Sequence, residues 1–152
     1  MNFVSARGGK KHKRDIAITT VHQMIADLLP RFRTLDIEVV FRTFSKKENA
    51  VGFCGMTDNN RTFEIEIDSK MGINELVTTI CHEMVHVKQF AKGEMRDLAR
   101  AEKVSFFGKQ YDTSIDEYFE RPWEIEAHGR ELGLFVRWAE KHKLGHLKWT
   151  HD

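Results

Sequence analysis

The sequence predicts an α+β fold in one domain, with a few strands in the middle of the chain and amphipathic helices before and after them. Two observations carry this prediction. Residues 37–68 contain short runs of β-branched and aromatic residues separated by turn-forming residues, which is typical of strands. On both sides, apolar residues recur every three or four positions over helical lengths. A chain of 152 residues, 41% of them hydrophobic, is long enough for a single core.

The first helix is predicted over residues 15–29. Asp15 suits the N-cap position, apolar residues follow at helical spacing, and Pro30 ends the pattern. Residues 1–14 carry five Lys and Arg residues around a Gly-Gly pair, without an apolar segment of the length that a signal peptide requires. We therefore expect a flexible basic arm over residues 1–14 and one domain over residues 15–152.

Three strands are predicted in the middle of the chain: residues 37–44, 51–56 and 62–68. The second and third flank the turn-forming sequence Asp58-Asn59-Asn60, which indicates a β-hairpin. In the third strand, apolar residues alternate with acidic residues, so one face meets the core and the other meets water or a ligand. We expect a small, mostly antiparallel sheet, and the third strand is a candidate for pairing with an extended peptide.

Two longer helices are predicted in the second half of the chain. One covers residues 73–91 and ends near Gly93, a residue type suited to the left-handed conformation after a helix. The other starts at Pro122, a favoured first-turn residue, and continues to about Lys141. The sequence also predicts a small hairpin, with strands over residues 104–107 and 110–113. Residues 141–151 are rich in His and Lys and are expected to form a solvated helix end.

The most informative motif is His82-Glu83-x-x-His86, an H-E-x-x-H sequence inside the second predicted helix. Successive helical residues turn by about 100°, so the two histidines point within roughly 40° of each other and can bind the same metal ion. The apolar residues of this helix form a stripe on its opposite side, which turns the histidines toward a cleft. The motif predicts one Zn²⁺ ion, with Glu83 as the general base that takes a proton from a metal-activated water.

A third metal ligand is expected elsewhere in the chain, because catalytic zinc sites usually have three protein ligands and one open position. The first turns of the last predicted helix offer three candidate side chains. Glu124 and His128 are four residues apart and share a face, whereas Glu126 points away from both. The spacing leaves Glu124 and His128 as alternatives.

In these two segments the chain resembles the zinc metallopeptidases of the gluzincin type, and in particular the small SprT-like peptidases of phages and bacteria. The resemblance is densest over residues 80–87 and 122–133, and the order of the predicted elements extends it over most of the chain. It implies a zincin-like fold, in which a hairpin packs on the H-E-x-x-H helix. An N-terminal helix and a long C-terminal ligand helix complete that fold.

The resemblance also bears on the third ligand. In peptidases of the ImmA/IrrE and HtpX types, this ligand is a Glu that lies three residues before an Ala on a later helix. Glu124 stands in this relation to Ala127, so the resemblance implies Glu124. The sequence His128-Gly129 is similar to the third His of SprT-type proteases, which keeps His128 as the alternative. The residue that is not a ligand is then expected to orient one or to contact substrate.

The function implied is that of a zinc-dependent metallopeptidase that hydrolyses peptide bonds. Tyr111, Tyr118 and Arg130 carry donors that suit contacts with the transition state or the substrate. The alternative is a non-catalytic, zinc-containing module of SprT-like type that binds DNA or protein, with the basic termini in contact with nucleic acid.

Composition narrows the class of function. A formal net charge of +1 argues against a protein that binds nucleic acid or membranes through its overall charge. Cys54 and Cys81 are too few for a disulfide framework, and the sequence shows neither a signal peptide nor a membrane span. We expect a cytoplasmic monomer with reduced cysteines that acts on a protein or peptide.

Overall fold

The structure, a computed structural model, describes residues 1–45, 48, 52–57, 59–98, 102–115 and 117–147. These residues form three α-helices: α1 (Lys11–Leu28), α2 (Ile73–Ala91) and α3 (Pro122–Lys141). They also form seven strands: β1 (Phe3–Arg7), β2 (Asp36–Arg42), β3 (Gly52–Met56), β4 (Thr62–Asp68), β5 (Met95–Asp97), β6 (Lys103–Phe106) and β7 (Lys109–Asp112). The predicted α+β class is therefore confirmed. None of the helices in these ranges is long and apolar enough to cross a membrane.

The main sheet has the strand order β1-β2-β4-β3. Strand β2 pairs in parallel with both β1 and β4, and only the β3–β4 hairpin is antiparallel. The expectation of a mostly antiparallel sheet is therefore wrong for this sheet. Strands β1 and β2 are parallel because α1 carries the chain back between them. Strands β2 and β4 are parallel because β4, rather than β3, lies next to β2 in the sheet.

The N-terminal segment differs from the flexible arm that we expected. Residues Phe3 to Arg7 pair with β2, and α1 begins at Lys11 rather than at Asp15. The basic side chains hold this region in place. Lys13 Nζ donates to the backbone carbonyls of Ser69 and Met71 at 3.1 and 2.5 Å, and Arg14 donates to those of Gly8 and Gly9 at 3.0 and 2.6 Å.

The core lies between the main sheet and the helices. The alternation predicted for β4 is confirmed, because Phe63, Ile65 and Ile67 are buried while the acidic residues between them are half-buried on the other face. Helix α2 is buried almost all round from Leu76 to Ala91. One side of α2 packs on the hairpin and α1, and the other side packs on α3. The histidine face of α2 is therefore enclosed by a second helix.

The predicted bounds of α2 and α3 agree with the structure, and the small hairpin is present as β6 and β7. Strand β5 adds a third, antiparallel strand to that hairpin, which the sequence did not predict. Phe107 and Gly108 form the turn between β6 and β7, with φ angles of 49° and 83°. Three parts of the predicted elements lie outside the described residues: position 51, position 58 and positions 148–151.

Candidate metal centre

The structure brings together the two histidines of the motif and Glu124. His82 and His86 lie one turn apart on α2 and face the first turn of α3, where Pro122 starts the helix. The Nε2 atoms of His82 and His86 each lie 3.1 Å from the same oxygen, Oε1 of Glu124. All three side chains are buried. The two imidazole nitrogens of the motif thus converge on one carboxylate oxygen between the two helices.

His128 lies at the same centre, one turn after Glu124 on α3. His82, Glu124 and His128 offer potential ligand atoms that all lie within 4.8 Å of one another, so this group could bind a metal ion. The ring centroid of His128 is 4.5 Å from that of His82. Its side chain is 41% exposed, against 11% for Glu124. Both candidates for the third ligand therefore lie next to His82.

The outer nitrogens of the two histidines also have partners. Nδ1 of His82 lies 2.8 Å from Oε2 of Glu131, and Nδ1 of His86 lies 2.8 Å from Oε1 of Gln89. When Nδ1 of a neutral imidazole donates to an acceptor of this kind, Nε2 carries the lone pair that a metal requires. Neither Glu131 nor Gln89 was predicted. Their spacing gave a signal, since Gln89 is three residues after His86 and Glu131 is seven after Glu124.

The charges at the centre stabilise one another. Burial alone lowers the pKa of His82, but its hydrogen bonds with Glu124 and Glu131 outweigh burial and raise the pKa to about 10. Burial raises the pKa of Glu124, yet its hydrogen bonds with His82 and His86 hold that pKa far below its usual range. The carboxylates of Glu124 and Glu131 therefore stabilise positive charge on His82.

Glu83 lies on the flank of the same cleft and is 6% exposed. Burial raises the pKa of its carboxyl, and the charge of nearby Glu124 adds to this, while the motif histidines oppose it. Strand β3 passes close to Glu83 on α2. A Cβ atom at Gly52 would lie 2.7 Å from Cγ2 of Thr79 and 3.5 Å from Oε1 of Glu83. The glycine is what allows the strand to approach.

The three predicted donors lie in different places. Tyr118 is at the centre, where its hydroxyl donates to Oε1 of Glu124 at 2.9 Å. Tyr111 packs its ring against Trp123, with centroids 5.4 Å apart, and does not line the cleft. Arg130 is exposed and donates to Glu126 at 3.0 Å. Of the three, the structure brings only Tyr118 to the histidines.

The centre opens into a cleft of about 320 Å³. Phe90, Met95 and Trp123 provide apolar lining, while β3 contributes residues 52–54. In the described part of the chain, β3 is the edge strand of the main sheet that lines this cleft, whereas β4 lies inside the sheet. The edge that an extended peptide could join beside this cleft is therefore β3, and our assignment of that role to residues 62–68 was wrong.

No protein-family model, curated protein or solved structure matches this chain. The function must therefore be argued from the chemistry of the centre itself.

Proposed function

We propose that this protein is a zinc-dependent metallopeptidase with a zincin-like fold, and that Glu83 is its general base. One observation carries the proposal. The Nε2 atoms of His82 and His86 converge at 3.1 Å on one oxygen of Glu124, while both Nδ1 atoms are held by acceptors on the protein. Two imidazole nitrogens and one carboxylate oxygen, each on a rigid helix, are the donor set of many catalytic zinc sites.

The residues fit a metal better than they fit a structural ion pair. A buried histidine–carboxylate pair needs only one nitrogen and one oxygen, yet here two histidines share a single oxygen of Glu124. The outer partners of the histidines are of the kind that supports metal-ligating imidazoles. We assign the third ligand to Glu124 because it is the more buried candidate and contacts both motif histidines. His128, against the ring of His82, is assigned an orienting role.

A bound zinc ion would act as a Lewis acid that polarises the scissile carbonyl and lowers the pKa of a water molecule. Glu83 would accept the proton of that water and later return it to the leaving amine. The burial of Glu83 raises its pKa, which makes the carboxylate a better proton acceptor. Tyr118 holds the carboxylate of Glu124 through its hydroxyl.

The shape of the cleft favours a polypeptide as substrate. Its rim includes the edge strand β3, whose backbone groups can pair with an extended peptide. Apolar lining from Phe90, Met95 and Trp123 suits contacts with side chains of that peptide. Pairing with β3 would place the peptide backbone alongside Glu83, because Gly52 brings the strand within contact distance of that residue.

The alternative of a zinc-containing module that binds DNA has less support. It depended in part on a free basic arm at residues 1–14. In the structure, Lys13 and Arg14 donate to backbone carbonyls of the fold, and Lys11 pairs with Asp15 at 3.2 Å. Arg7 also pairs with Glu38 at 3.3 Å, so four of the five basic side chains in that segment have partners on the protein.

The proposal is tested with a library of unstructured peptides and the variant Glu83→Gln. We expect cleavage that a chelator abolishes and that added zinc restores. Glu83→Gln should keep its zinc and lose about 10²- to 10⁴-fold in rate, because it removes the proton acceptor alone. Glu75→Gln is the matched control, since Glu75 is exposed in the first turn of the same helix. Equal cleavage by Glu83→Gln and the unmodified protein would contradict the assignment.

A further inference from the structure

The side chain of Gln89 is fully buried between the metal centre and a group of charged residues. Its Nε2 atom lies 3.0 Å from the backbone carbonyl of Trp123 and 2.8 Å from Oε1 of Glu126. A carbonyl and a carboxylate can only accept hydrogen bonds, so the amide NH₂ group must face them. The oxygen of Gln89 must then face His86, and Nδ1 of His86 must be the donor across their 2.8 Å contact.

The orientation of Glu126 is fixed in turn. Its Oε2 atom accepts from Lys88 Nζ at 2.6 Å and from Arg130 Nε at 3.0 Å. Lys88 is itself buried and also contacts Glu94 at 2.8 Å. With both cations on Oε2, the other oxygen of Glu126 is left for Gln89. Without Glu126, the buried charge of Lys88 would be paired with Glu94 alone among these two carboxylates.

The two motif histidines thus have unlike partners. Nδ1 of His82 faces the carboxylate of Glu131, which can only accept and so fixes the histidine by itself. Nδ1 of His86 faces an amide, which can present either its oxygen or its NH₂ group. An amide selects one form of the imidazole only if something else prevents it from turning over. Trp123 and Glu126 do this for Gln89.

We propose that Gln89 is a positioning residue for metal binding, held by Glu126, which keeps the proton of His86 on Nδ1 and its Nε2 lone pair toward the metal. The inference rests on the proposed zinc site and deepens it. Without the acceptor at position 89, the proton of His86 can reside on Nε2, where it blocks the metal. Loss of such a partner typically weakens metal affinity by about 10- to 100-fold.

The first test is the zinc dissociation constant, measured by competition with a chromophoric chelator. Gln89→Met keeps the size of the side chain and removes the acceptor, so we expect zinc to bind about 10- to 100-fold more weakly. Gln23→Met is the matched control. Gln23 is also buried, and its Oε1 lies 3.0 Å from Nε2 of another histidine, His142, outside the cleft. The variant Gln23→Met should bind zinc with the same affinity as the unmodified protein.

A second pair of variants separates positioning from a general loss of structure. Gln89→Glu still offers an acceptor to His86 but sets a second carboxylate against Glu126. Adding Glu126→Gln restores a donor between the two positions and keeps an oxygen for Lys88 and Arg130. The double variant should therefore bind zinc about tenfold more tightly than Gln89→Glu alone. Thermal unfolding of each metal-free variant shows that the compared proteins are folded.

The outcomes separate this inference from the proposed function. Weaker zinc binding by Gln89→Met, with recovery in the double variant, supports the positioning role. Unmodified protein that binds zinc with the same affinity as Gln89→Met overturns this role and leaves the metallopeptidase proposal intact. A double variant that binds no more tightly than Gln89→Glu also overturns it. Unmodified protein that binds no zinc overturns both.

Discussion

The Nδ1 atom of His82 lies 2.8 Å from Oε2 of Glu131, which is two helical turns beyond Glu124 on α3. One face of α3 therefore contacts both nitrogens of the same imidazole, through Glu124 at Nε2 and through Glu131 at Nδ1. The second oxygen of Glu131 lies 3.4 Å from Nδ1 of His128. Glu131 thus links the motif histidine to the alternative ligand.

The variant Glu131→Gln tests this link. An amide can turn its NH₂ group toward His82, so the imidazole is no longer held with its proton on Nδ1. We expect zinc affinity to fall by about 10- to 100-fold, measured by chelator competition. Glu140→Gln, on an exposed position of the same helix, should bind zinc like the unmodified protein. Equal affinities for the two variants would show that Glu131 does not support the site.

The close approach of β3 to α2 predicts that Gly52→Ala is harmful. The added methyl group would lie 2.7 Å from Cγ2 of Thr79, so the strand must shift away from Glu83. We expect a loss of about 1–3 kcal/mol in the free energy of unfolding, measured by denaturant titration. Adding Thr79→Ser removes the methyl group that clashes and should recover part of the loss.

Gly55→Ala is the matched control for Gly52→Ala on the same strand. A Cβ atom at Gly55 would meet no heavy atom within 4 Å among the described residues, so the change should stay within about 0.5 kcal/mol. Similar losses for Gly52→Ala and Gly55→Ala would contradict a specific contact between β3 and α2.

The hydroxyl of Tyr118 predicts a different response. Tyr118→Phe removes its 2.9 Å hydrogen bond to Glu124 and keeps the ring. We expect zinc to be retained and the rate of peptide cleavage to fall by about tenfold or more, since one hydrogen bond to a charged group contributes about 1.5–3 kcal/mol and 1.4 kcal/mol is about tenfold in rate. Tyr111→Phe should cleave at the unmodified rate, because that ring packs on Trp123 and does not line the cleft. Equal rates for both variants would remove Tyr118 from the site.

The sequence predicted the local features of this protein well. The bounds of α2 and α3, the β3–β4 hairpin and the alternation in β4 follow from periodicity and from residues such as Pro122. These signals lie within each element. Ligand chemistry predicted a third donor on the last helix and left Glu124 and His128 as alternatives, and the structure brings both of them next to His82.

The sequence did not predict how the elements are arranged in space. The alternation in residues 62–68 shows which face is buried, but it does not show that β4 lies inside the sheet and β3 at its edge. Strand β1 was missed because its side chains are half-buried at best and its sequence is basic at the end. Gln89 and Glu131 were missed because their importance depends on contacts between α2 and α3.

The central claim is tested most directly by the zinc content per chain, measured by elemental analysis after mild chelation and repurification. Unmodified protein, Glu124→Ala and His128→Ala are compared. We expect about one zinc ion in the unmodified protein, retention in His128→Ala and loss in Glu124→Ala, since Glu124 contacts both motif histidines. Loss in His128→Ala alone would move the third ligand to His128. An unmodified protein that retains no zinc would contradict the metallopeptidase proposal.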